Sequence, residues 1–128
     1  MSKTDWVFIA AGSIGCMVAV VHGVILQKKM IGPILAEMKL AGSLRRLIPL
    51  LLHFSTVFWF LGGLALIATP LYSNEYIVLT IAVFAGLLFG FGAIGNFWGT
   101  RGRHPGWVML AAAVGLIIYG AAQVAAHI

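Results

Sequence analysis

The sequence predicts an all-α fold: a polytopic membrane protein whose four transmembrane helices form an antiparallel bundle with both termini outside. Three observations lead there. Of 128 residues, 62% are hydrophobic and 9% are charged, and the mean hydropathy is +1.06; a soluble domain of this size cannot hide so much apolar side chain. Four apolar stretches, at 6–26, 47–69, 76–98 and 107–126, each reach the length of about 20 residues that crosses about 30 Å of hydrocarbon as a helix. Lys28, Lys29, Lys39, Arg45 and Arg46 separate spans one and two, Arg101 and Arg103 separate three and four, and Lys3 stands alone on the other side. Loops rich in Lys and Arg stay cytoplasmic, so loops 27–46 and 99–106 are expected inside, within a single membrane domain, 1–128.

Each element has its own local warrant. Ser2, Thr4 and Asp5 offer N-cap groups ahead of the first span, and Trp6 suits the interfacial aromatic belt. That span is too long for a signal-peptide core and lacks a convincing small-residue cleavage site, so it is expected to be retained. Gly32 and Pro33 are expected to break the first helix. Beyond them Ile34, Met38, Ala41 and Ile48 recur on one side at helical spacing, which predicts a short interfacial helix, with a basic re-entry loop of one helical turn as the alternative. In TPLYSNEY, Pro70 stops span two and Ser73 or Asn74 caps span three. In GTRGRHPGW, Pro105 lies near a helix start. Both connections are short, so the helices they join are antiparallel neighbours.

Small residues repeat every four positions as Ala11, Gly15, Ala19 and Gly23 in the first span and as Ala82, Gly86 and Gly90 in the third; Ala111 and Gly115 make the fourth smooth. Such spacing lets helix backbones approach closely in lipid, where water no longer drives association. Trp98 and Trp107 suit the inner aromatic belt, and Trp59 belongs in the hydrocarbon.

Polar groups within spans are costly and face the bundle interior, so they are the candidate functional residues. His22 near the inner end of span one and His53 near the start of span two are expected at one cytoplasmic-leaflet depth, in a polar cluster with Gln27, Ser55, Thr56 and Asn96. Two facing imidazoles are candidate axial ligands for haem b. With His104 as a third donor they are candidate ligands for a metal ion. A proton or small-solute carrier is a further reading. Against all of these stands the plain one, in which both histidines hydrogen-bond across helices. The acidic residues Asp5, Glu37 and Glu75 fall at interfaces, which weighs against cation transport. Cys16 is the only cysteine, which excludes an internal disulfide or a cysteine-pair metal site. No nucleophile–base–acid set, phosphate loop or zinc-protease motif occurs, and the GxGxxG match in GFGAIG lies mid-helix. The basic residues track the cytoplasmic loops rather than a nucleic-acid face; Lys28, Lys29, Lys39, Arg45, Arg46, Arg101 and Arg103 are expected near anionic lipid headgroups.

The combination of HGVILQKKMIGPIL with RRLIPLLLHFSTVFWFLGG resembles a group of small uncharacterised bacterial integral membrane proteins. The resemblance rests on His22, Lys28, Lys29, Ile31, Gly32 and Pro33, then Arg45 or Arg46, His53, Ser55, Thr56 and Trp59, about the first half of the chain. Gln27 departs where the group tends to be acidic, Leu52 where an aromatic often precedes the histidine, and Phe58 where tryptophan often stands. The resemblance implies four spans in a bacterial cytoplasmic (inner) membrane and implies no activity. The leading expectation is therefore a non-enzymatic accessory or interaction protein, with a homo-oligomer or larger membrane complex as its setting. A haem or metal protein ligated by His22 and His53 is second.

Overall fold

A computed structural model describes residues 1–37, 39 and 41–128. The chain folds as four long helices, each long and apolar enough to cross a membrane. They are α1 (Lys3–Leu26), which continues through a π turn (Gln27–Ile31) into α2 (Gly32–Glu37); α3 (Gly42–Ile67); α4 (Glu75–Thr100); and α5 (Gly106–Ala125). Neighbours around the bundle run α1–α3–α4–α5 and back to α1, so α1 and α4 face each other across the axis.

Capping sets most of the ends. Ser2 and Asp5 form a reciprocal capping box that starts α1 at Lys3, three residues earlier than Trp6. Asn74 rather than Ser73 caps α4, accepting from the backbone N–H of Tyr76 and Ile77. After α3, a single 3₁₀ turn, Thr69–Leu71, contains Pro70 and ends the helix. At the far end of α4, Arg101 (φ 52°) and Gly102 (φ 73°) turn the chain left-handed, and Gly102 N–H satisfies the Phe97 carbonyl at 2.8 Å.

Two expectations about the first connection fail. Gly32 and Pro33 do not break the first helix. Gly32 N–H donates to Gln27 O, five residues back, and this wider turn accommodates a proline ring with no N–H of its own. The predicted separate interfacial helix is consequently the tail of the first long helix; Met38, expected on its apolar face, lies outside the described residues. The second helix also begins early, at Gly42, so Arg45 and Arg46 occupy its first turns rather than a loop. Pro49 lies inside α3, where it leaves the Arg45 carbonyl without its usual i+4 donor.

The core is built from aromatic rings seated on glycines of facing helices. Phe89 of α4 reaches across the axis to Gly15 of α1, Phe8 of α1 sits on Gly120 of α5, and Trp59 of α3 sits on Gly92 of α4. Phe8 and Phe89 are fully buried and Trp59 nearly so. Between α1 and α3 the contact is backbone on backbone: a Cβ added at Gly63 would lie 2.6 Å from both Cys16 Sγ and Gly12 O. Close approach of this kind replaces hydrophobic drive as the source of helix association in lipid.

The small-residue stripe of α1 is a true seam, since Ala11, Gly15 and Ala19 are buried. The stripes read in the other helices are partly displaced. In α4 the buried line is Val78, Ala82, Ala85, Phe89 and Ala93, while a Cβ on Gly90 would meet nothing. In α5 it is Leu110, Ala113, Ile117 and Gly120, with Ala111 and Gly115 exposed.

Candidate functional site at the basic end

The antiparallel order brings the ends of α1 and α4 to the same side as the starts of α3 and α5. Lys28, Lys29, Lys39, Arg45, Arg46, Arg101 and Arg103 are all on that side, and all are exposed. Inside this basic rim lie the polar side chains singled out from the sequence.

His53 Nε2 donates to Gln27 Oε1 at 3.0 Å, tying α3 to the π turn. His22 packs its ring on Trp59, with centroids 4.8 Å apart at 53°. Among the described residues, no hydrogen bond engages either His22 ring nitrogen. The two histidines therefore have separate partners. Their depths differ as well: Gly23 lies against Thr56, Gln27 bonds His53, and Gly12 lies against Ile67. That constant antiparallel register sets His22 level with Val57 and His53 level with Leu26 or Gln27, an offset of about 6–7 Å at 1.5 Å per residue.

His104 has a role that the sequence reading missed. Its Nδ1 accepts from Gly106 N–H at 3.0 Å, so the imidazole serves as the cap of α5. A ring accepting at Nδ1 carries its proton on Nε2 when neutral. Asn96 donates from Nδ2 to Gly92 O at 2.9 Å, Thr100 Oγ1 donates to Asn96 O at 2.6 Å, and His104 N–H donates to Thr100 Oγ1 at 3.3 Å. The first two bonds lie within α4, and the third fastens the turn that follows to the last residue of that helix. Thr100 was not singled out, although Asn96, Thr100 and His104 follow one another at i, i+4 spacing. Among the described residues, no three His, Cys, Asp or Glu side chains gather as a metal site, so His22, His53 and His104 do not form the three-ligand set considered above.

Ser55 Oγ donates to Leu52 O at 3.4 Å on its own helix. Among the described residues, no hydrogen-bond partner meets Thr56 Oγ1, which is buried under Gly23. An orphaned hydroxyl there costs on the order of 1–3 kcal/mol.

Two clefts meet at this level. One, of about 190 Å³, lies between α1 and α5 and is walled by Met17, Val21, Ile25 and Met109, with His22, Asn96 and His104 at its inner side. The other, of about 210 Å³, lies between α3 and α4 and includes Ser55, Trp59, Gly92 and Gly95. His22 and Asn96 line both, and so form the partition between them.

No family model matches the chain, and neither does any curated protein or solved structure.

Proposed function

We propose that this integral membrane protein is a non-enzymatic accessory or interaction subunit of a bacterial inner membrane, seated with both termini outside and its basic end in the cytoplasm. The observation that carries this reading is that most polar side chains of that end are taken up by structural partners, two of them across helices. His53 of α3 is bonded to Gln27 and His22 of α1 packs at a tilt on Trp59 of α3, while Asn96 bonds Gly92 within α4 and His104 bonds Gly106 at the start of α5. An end ringed by exposed cations, with most of its inner polar groups already partnered, supports docking to other membrane components better than chemistry at a reacting centre.

Orientation is tested with single cysteines at Ser73 and Gly99 in a Cys16→Ala background. A membrane-impermeant thiol reagent added outside labels position 73; labelling of position 99 instead reverses the orientation. Gly99 suits this use because a Cβ there meets nothing within 4 Å. The subunit role is tested by extracting native membranes directly into polymer nanodiscs and measuring particle mass. A particle larger than one chain, reduced when Arg45 and Arg46 are replaced by Gln, supports the reading. Particles containing one chain only overturn it.

A further inference from the structure

The cleft between α1 and α5 is the more apolar of the two at the basic end. Its walls are almost wholly apolar. It opens sideways to the surroundings at Met17 and Val21, each 49% exposed although both lie in the inner half of a membrane helix. Its lower lip is His104 to Gly106, and the turn leading into that lip carries Arg101 and Arg103. On the opposite wall, Lys28 and Lys29 follow Ile25 by three and four residues, in the π turn that continues that helix, and both are exposed. An apolar slot thus lies next to the basic end, where the segments that continue its two sides carry four exposed cations, Lys28 and Lys29 on one and Arg101 and Arg103 on the other. The grooves along Tyr76 to Leu87 and between α4 and α5 have no such group at their ends.

We infer that this cleft is a specific site for one anionic phospholipid, with a segment of one acyl chain in the slot and the phosphate among Arg101, Arg103, Lys28 and Lys29. The size agrees: an apolar cavity of about 150 Å³ holds a benzene ring, so about 190 Å³ takes part of one chain and not a whole lipid. The electrostatics agree as well, since each basic group at the membrane surface strengthens binding of an anionic headgroup about fivefold. Guanidinium groups add paired hydrogen bonds to phosphate oxygens. The inference rests on the basic end lying at headgroup depth, but not on which side of the membrane that end faces.

The test is native mass spectrometry of the full chain released from micelles that contain equimolar phosphatidylglycerol and phosphatidylcholine with identical oleoyl chains. One phosphatidylglycerol adduct is expected to be retained in preference to phosphatidylcholine. Replacing Arg101 and Arg103 together by Gln should lower that preference roughly 25-fold, two factors of about five. Val21→Phe, at a half-exposed position, should fill the slot and remove the adduct with all four cations intact. Met17→Phe is the second filling variant, and both are read only on protein that keeps its elution volume and helical circular dichroism. Equal retention of the two lipids by the unaltered chain overturns the site. So does an adduct that survives both filling variants, which marks a headgroup held at the surface. Displacement of the lipid by glycerol 3-phosphate at equal concentration overturns it too, because the ligand would then be a phosphate. Because the assay is done in micelles, the two lipids can be distinguished even if the cysteine labelling reverses the proposed topology.

Discussion

Gly63→Ala is the sharpest test of how the bundle is held together. A Cβ at Gly63 would sit 2.6 Å from Cys16 Sγ, 2.6 Å from Gly12 O and 2.9 Å from Cys16 N, where ordinary contact begins at 3.4 Å. Two of these neighbours are backbone atoms, so a rotamer change cannot relieve the clash and α3 must retreat from α1 by about 0.8 Å. Overpacking of this kind costs about 1–3 kcal/mol. Replacing a helical glycine by alanine returns about 0.5–1 kcal/mol through reduced chain entropy. The net expectation is a loss of up to about 2.5 kcal/mol, and about 1–3 kcal/mol relative to a glycine replaced where there is room. Gly90→Ala and Gly115→Ala make the same chemical change where nothing lies within 4 Å, and should gain the entropic part alone. Unfolding in mixed micelles titrated with dodecyl sulfate, followed by far-ultraviolet circular dichroism, ranks the three variants. If Gly63→Ala is as stable as Gly90→Ala, α1 and α3 do not meet backbone on backbone and the packing argument is wrong.

Three further expectations use the same assay. His53→Ala and Gln27→Ala should each cost about 1 kcal/mol, and the double variant no more than either alone, since one hydrogen bond is shared; additive losses would show that the residues act separately. His104→Ala should cost about 1 kcal/mol by removing the acceptor for Gly106 N–H, while His104→Asn keeps a capping oxygen and most of the stability; equal losses would remove the capping role. Thr56→Val should raise stability by about 1 kcal/mol, because it deletes a buried hydroxyl without a partner, and a loss instead would reveal a partner for that oxygen.

Hydropathy and length were enough to locate the four spans, and all their ends to within about five residues except the inner end of the first, which runs on to Glu37, because a span must be apolar and must satisfy its own backbone. Local chemistry located Asn74 and the Ser2–Asp5 box. The first connection was misread because Gly-Pro is a breaker in the ordinary α register. A single π turn removes the conflict, and it depends on how the hydrogen-bond ladder adjusts rather than on a residue pattern. The stripes in α4 and α5 were misplaced for a different reason: small residues lie on both faces of these helices, so spacing alone cannot tell lipid from neighbour. His22 and His53 show the resolution of depth arguments. Span ends carry several residues of latitude, as much as the offset that separates the two rings. The caps at His104 and Thr100 depend on a turn whose left-handed Arg101 no composition rule indicates.

The unbroken first helix has a consequence for reach. At 35 residues from Lys3 to Glu37, its contour is about 50 Å at 1.5 Å per residue, against about 30 Å of hydrocarbon. Trp6 at one border leaves most of the surplus at the other, so the peptide emerges from the bilayer as a short, stiff post before it doubles back into α3. Water-borne proteins approaching that side would meet the tip of this post before they met the lipid, and its lysines would stand clear of the fatty layer.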